Sequence, residues 1–300
     1  MCYTKLKGLV LSRLSDVLDS GGFCVTCELN PPKGVDLESL YTKVKLLDGV
    51  VSAFNLTDSA GSSMTMAPIA ASSLLQDKGV ETILQITGRD RNKMALQSEL
   101  LAAAALGTTN VLCMSGDPPG VGDHPDATAV GDLDAMGLLR AVRVLGSGKD
   151  LAGNDLKGAP TLFAGAVANP GAADLSREIQ RMEAKVEAGA AFFQTQAFYD
   201  PKTLEHFMKQ AQRFNVPILA GLIVLKSGKM ARYLNDNLPG VTVPEDIVRE
   251  MDGADDRQAK SVEVSARIVR WARDMCNGVH IMAIGWEAKV PDILEAAELN

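Results

Sequence analysis

The sequence predicts an α/β protein: an eight-stranded (βα)8 barrel of the TIM class with an extra N-terminal helix. Three observations carry this. Eight short apolar runs each precede a stretch of helical periodicity. Glycines that stop helices recur at Gly49, Gly79, Gly107, Gly189 and Gly278, marking units of about thirty residues, the length of βα repeats rather than solenoid modules. No linker rich in Pro, Ser or charge divides the chain, so residues 1–300 read as one barrel domain with residues 1–22 as the leading helix. An open doubly wound sheet is the alternative, but no strand is followed by G-x-G-x-x-G.

The elements follow in order. Leu6, Leu9, Val10, Leu14, Val17 and Leu18 fall at helical spacing, and Gly21-Gly22 ends that helix. Strands are predicted over 23–29, 51–56, 82–86, 110–114, 162–167, 191–196, 218–225 and 279–284. Helices are predicted over 37–47, 67–76, 93–106, 133–145, 175–187 and 202–214. Pro201 stands near the first turn of the last of these, where its missing N–H costs nothing. Helical segments near 229–237, 245–251 and 254–275 precede the final strand, and 288–299 forms the last helix.

Composition narrows the function classes. The chain is 46% hydrophobic and 22% charged, an ordinary globular balance. Lys plus Arg is 30 against 37 Asp plus Glu, a net charge of -7 with no basic cluster, which argues against nucleic acid and anionic membranes as partners. Aromatics at 5% leave few stacking platforms for single strands. The apolar patch at 8–11 is too short for a signal core or a membrane span, so a cytoplasmic location is expected. Five dispersed cysteines suggest reduced thiols. Cys24 and Cys27 sit three apart in a strand and should face opposite ways, and the three histidines lack ligand spacing, so no metal site is expected.

In a barrel the carboxyl ends of all strands share one mouth, where ligands bind. Ser115-Gly116-Asp117-Pro118-Pro119 puts a carboxylate on a stiffened loop at one such end; an Asx turn before Pro118 is the plainer role for Asp117. Glu28 closes a strand whose Cys24, Thr26 and Glu28 share a face. Burial there would favour a protonated carboxyl fit for general acid work, against a simple cap on the Asn30-Pro31 turn. Thr57, Asp58, Gln85, Thr87, Asn169, Gln194, Gln196 and Lys226 end other strands. Gln196 and Gln194 lie one strand period apart, and an amide suits a heterocycle with a mixed edge. Lys226 raises a Schiff-base alternative, a lyase or aldolase barrel.

These residues resemble the flavin-dependent methylenetetrahydrofolate reductase family. The likeness rests on C-E-L-N-P-P-K-G at 27–34, the Thr57 strand end, S-G-D-P-P at 115–119, K-V-E-A-G-A at 185–190 and Q-A-F-Y-D at 196–200, and it covers nearly the whole chain. It implies a (βα)8 barrel with an extra leading helix; because the barrel fills these 300 residues, no appended regulatory domain is expected. It implies that Glu28 opens the five-membered ring of methylenetetrahydrofolate as the acid, that Asp117 lies beside the isoalloxazine, and that Gln196 binds the pterin. Thr57, Ser115, Gly116, Glu178, Arg181 and Lys185 then fall at flavin-contact positions, joined by Gln85, Gly165 and Asn169. The best-known bacterial members carry His, Tyr and His at those last three positions, and Arg near Trp286.

FAD is the implied cofactor, with FMN the alternative. Electrons would come from NAD(P)H or from an iron–sulfur partner subunit, the other expected association being a homo-oligomer. A barrel without catalysis, serving a larger redox complex, is the third alternative.

Overall fold

A computed structural model describes residues 13–299. Leu6, Leu9 and Val10 of the predicted leading helix, and Cys2, lie outside the described residues; the described part is α1, Arg13–Asp19. The strands are β1 Cys24–Leu29, β2 Ala53–Leu56, β3 Thr82–Thr87, β4 Asn110–Met114, β5 Phe163–Ala168, β6 Phe192–Ala197, β7 Ile218–Ile223 and β8 Gly278–Met282. They form a closed parallel barrel in sequence order, with β8 pairing back to β1 through Cys24↔Gly278 and Thr26↔His280.

The connecting helices are α2 Glu38–Leu46, α3 Pro68–Gln76, α4 Lys93–Ala105, α5 Ala135–Gly146, α6 Leu175–Ala188 and α7 Pro201–Ala211. After β7 come α8 Gly228–Asn237, α9 Glu245–Asp252 and α10 Arg257–Met275, and α11 Val290–Ala296 ends the fold. Side-chain caps set several starts: Asn92, Asp134, Asp174, Asp200 and Asp256 each accept hydrogen bonds from first-turn N–H groups. The Asp256 cap is why α10 begins later than its periodicity predicted. Gly49, Gly79, Gly107 and Gly189 end helices with φ of +75°, +78°, +90° and +119°, which a side chain would resist. Gly278 is different. It opens β8, where a Cβ would lie 2.2 Å from the Cys24 carbonyl oxygen, so it is glycine for strand closure and not for helix termination.

Strand alternation sorts the side chains into two cores. Cys27, Leu29, Leu84, Ile86, Val111 and Phe193 face outward to the helices. Cys24, Ala53, Ile83, Leu112, Phe192 and Leu219 face inward, with Leu14 and Leu18 of α1 packed against them. The leading helix therefore stoppers the end of the barrel where the strands begin. Cys24 and Cys27 fall in different cores, and burial pushes the Cys24 thiol up to about 11.

Gly165, expected at the cofactor, instead faces Phe192. A Cβ there would stand 2.3 Å from the Phe192 ring, and that ring stacks on Phe163 with centroids 5.1 Å apart. Gly165→Ala is expected to lower stability by about 1–3 kcal/mol through overpacking. The urea midpoint should drop at unchanged m, and Phe192→Leu in the same chain should make the pair less than additive. Full additivity would show that the two positions do not share this space.

Candidate functional site

A cavity of ≈ 920 Å³ opens at the carboxyl ends of the strands, with residues from β1, β3, β4, β5, β6, β7, β8 and α6 in its wall. Of the residues singled out in the sequence, it brings together Glu28, Asp58, Gln85, Thr87, Ser115, Gly116, Asp117, Asn169, Glu178, Arg181, Lys185, Gln194 and Gln196. Thr57 and Lys226 are not among the lining residues, nor is Gly165. Thr57 is buried and donates its hydroxyl to Asn30 Oδ1 at 2.8 Å, tying the ends of β1 and β2 together. Lys226 donates to the Ile284 carbonyl and stands 5.7 Å from the Trp286 ring centre. Lys226, the amine of the Schiff-base alternative, lies three residues past the end of β7 at Ile223 and is engaged by the loop after β8.

Glu28 projects inward from β1, as its alternation required, and 24% of its side chain is exposed, a partly dry place. Its Oε2 accepts from Gln85 Nε2 at 3.3 Å, so Gln85 serves as a partner of Glu28. His280 Nε2 lies 3.8 Å from the same oxygen. His280 was not a candidate in the sequence. Its signal was parity alone: β8 alternates so that His280 and Met282 face in, but only closure of β8 on β1 makes a neighbour of Glu28.

The loop after β4 is built on close approach. Gly116 has φ +87°, and a Cβ there would touch the β-carbons of Thr87 and Arg89 at 3.0 Å. Asp117 forms no Asx turn. Its Oδ2 accepts from Gly61 N at 3.2 Å, and its carbonyl accepts from Ser62 Oγ at 2.7 Å, which joins this loop to the one after β2. Asp123, further along, accepts from Met64 N at 3.0 Å and pairs with Lys33, which holds its carboxyl below the usual range. Ser115 Oγ accepts from Ala135 N at 3.4 Å at the start of α5.

Arg89, also missed in the sequence, is buried and lines the cavity; its guanidinium pairs with Asp90 and donates to Ser62 Oγ at 3.0 Å.

Next to the loop after β4, beyond β5, Glu178, Arg181 and Lys185 follow i, i+3, i+7 spacing along one face of α6. Buried Glu178 accepts from Asn169 N at 3.1 Å, and exposed Arg181 stands 3.7 Å from it. Lys185 donates to the Val167 carbonyl at 2.6 Å. Burial pulls the Lys185 ammonium below the ordinary lysine value, with Glu178 opposing that fall. Gln196 Oε1 accepts from Ala197 N at 3.0 Å, which leaves its amide N–H groups for a ligand. The β6–β7 register shifts between Gln194 and Ala197, and Thr195 joins both glutamines in the lining.

Among the described residues there is no cluster of three metal-ligating side chains, and no helix is long and apolar enough to cross a membrane.

The arrangement can hold an anionic, partly planar ligand: cations on α6, a carboxylate loop after β4, and a paired carboxyl with a facing amide between. Known proteins sharpen this. The family model described as methylenetetrahydrofolate reductase matches residues 13–298. A relative in Schizosaccharomyces pombe, methylenetetrahydrofolate reductase 2, is 26% identical over 313 residues, covering 95% of this chain and 47% of its own length. The Arabidopsis thaliana methylenetetrahydrofolate reductase (NADH) 1 is 24% identical, covering 90% of this chain and 46% of its own. The chain thus spans about half the length of these relatives. Among solved structures, a Clostridium thermocellum protein that binds two copies of 5-methyl-5,6,7,8-tetrahydrofolic acid superposes with a TM-score of 0.61 at 15% identity. It covers 96% of this chain and 100% of its own, and at that identity the likeness is one of fold.

Proposed function

The chain belongs to the methylenetetrahydrofolate reductase family, and from that premise we propose that it reduces 5,10-methylenetetrahydrofolate to 5-methyltetrahydrofolate with a non-covalently held flavin. The observation that carries this is a carboxyl, Glu28, fixed by Gln85 at the floor of a cavity whose other wall is the Glu178–Arg181–Lys185 face of α6.

The residues fit a flavin. Arg181 and half-buried Lys185 supply positive charge for its phosphates, Gly116 leaves the backbone after β4 bare, and Ser115 adds a hydroxyl. FAD is the favoured form and FMN the alternative; the bound group supplies the hydride.

The chain's own residues do the rest. Glu28 transfers its proton to a folate nitrogen, which breaks the carbon–nitrogen bond of the five-membered ring and leaves an electrophilic iminium. Gln196 donates its amide N–H groups to the pterin edge and so sets the orientation of the ring. Asp117, held by Gly61 and Ser62, keeps a negative charge on the β4 side. Electrons enter from NAD(P)H or from an iron–sulfur partner subunit, and the protein works in the cytoplasm as a homo-oligomer or within that complex.

The purified protein is expected to be yellow, or to become so on incubation with FAD or FMN, with one flavin per chain released on denaturation. Protein that stays colourless with both overturns the proposal.

A further inference from the structure

Under the cavity lies a layer of buried polar side chains that the proposed reaction has not used, of which Gln194 and His280 reach its lining. Asn55 and Gln194 meet across the barrel interior: Asn55 Nδ2 donates to Gln194 Oε1 at 2.7 Å, and Gln194 Nε2 donates back to Asn55 Oδ1 at 3.0 Å. The second hydrogen of Gln194 Nε2 goes to Thr26 Oγ1 at 3.3 Å. Thr26 Oγ1 lies 3.0 Å from His280 Nδ1. All four residues are at most 4% exposed. Beyond them His280 Nε2 faces Glu28 Oε2 at 3.8 Å, the oxygen that Gln85 already approaches.

Donor counting sets the direction of this chain. Thr26 Oγ1 accepts from Gln194, and His280 Nδ1 is the one other hydrogen-bond partner it has among the described residues, so the buried hydroxyl hydrogen is satisfied only if it goes to Nδ1. Nδ1 is then the acceptor, and a neutral imidazole carries its hydrogen on Nε2, on the side of Glu28. The opposite sense requires both amides to turn over together, which would put the imidazole hydrogen on Nδ1.

We propose that His280 is a positioning residue for Glu28: a neutral Nε2–H imidazole that, with Gln85, aims two donors at Oε2 and leaves Oε1 to carry the transferable hydrogen into the cavity. This rests on the reading of Glu28 as the acid. When the Oε1–H bond breaks and a folate nitrogen lone pair takes the proton, negative charge develops on the carboxylate, and two fixed donors meet it. Donors aimed at charge that grows in the transition state accelerate a reaction, where uniform binding does not. The 3.8 Å gap is too long for a hydrogen bond without substrate, and such contacts tighten when the site is filled.

The tautomer is read first, by ¹⁵N spectroscopy on histidine-labelled protein without substrate. The chain has three histidines, and His280 is assigned by its absence in His280→Gln. The expected result is a hydrogen on Nε2 in the wild type, with the preference lost in Thr26→Val; a hydrogen on Nδ1 overturns the proposal.

The second arm is single-turnover oxidation of the pre-reduced protein by methylenetetrahydrofolate. His280→Asn keeps a group facing Thr26 and loses the Nε2 donor. Its rate should fall about 10–10²-fold, the low side of what one aimed donor is worth, with substrate affinity and flavin reduction unchanged. His280→Gln reaches further with its amide and should recover most of the rate. Equal losses in both variants, or in both half-reactions, overturn the positioning role. A reduced wild type that turns over no folate overturns the reaction itself, while the tautomer measurement still judges the geometry.

Discussion

Glu28→Gln is expected to leave flavin reduction by the electron donor intact and to slow folate reduction by about 10²-fold or more. The substitution is close to isosteric, and an amide oxygen in the place of Oε2 can still accept from Gln85 Nε2. Shape and packing are therefore kept, and what is lost is a transferable proton. Ring opening needs that proton at the folate nitrogen; reduction of the flavin by its donor does not. The two half-reactions, followed separately by the flavin absorbance in stopped flow, should split. Equal loss in both would mean that Glu28 shapes the cavity and transfers nothing.

The repeating architecture was legible because each level of the sequence agreed with the others. Buried strands alternate cleanly (Cys24, Thr26 and Glu28 inward; Val25, Cys27 and Leu29 outward), and left-handed glycines at 49, 79, 107 and 189 stop four helices. Such signals are local. Gly278 was misassigned because its reason is not local: it admits the backbone of Cys24, from the other end of the chain. His280 was invisible for the same cause, since Thr26 and Glu28 are its neighbours only once the barrel closes. Thr57 and Lys226 were placed at the mouth by the rule that strand ends share one rim. The rule says nothing of where a side chain turns, and these two turn to Asn30 and to the Ile284 carbonyl. Gly165 shows the limit of carrying a role by position, because the space beside it belongs to Phe192.

Asp58→Ala is expected to destabilise the protein by about 3–5 kcal/mol, the cost of breaking a buried ion pair from one side. Asp58 sits just past the end of β2 and is 7% exposed. Its Oδ2 accepts from Thr87 N at 2.8 Å and Thr87 Oγ1 at 2.9 Å, and pairs with Arg91 Nη2. Arg91 in turn pairs with Glu99, whose carboxyl burial pushes up against the pull of that arginine. One carboxylate therefore joins the end of β2 to the end of β3 and neutralises a guanidinium whose side chain is 19% exposed. Alanine leaves the Thr87 N–H without its acceptor and Arg91 with Glu99 as its one remaining carboxylate, in a place too tight for full hydration, and Arg91 Nε already lacks a partner. Asp58→Asn keeps an oxygen for Thr87 while removing the charge, so its loss should fall between wild type and alanine. Urea unfolding followed by circular dichroism measures both. Losses below about 1 kcal/mol in both variants would mean that water replaces the carboxylate, and that the β2 and β3 ends are held by their ladder hydrogen bonds instead.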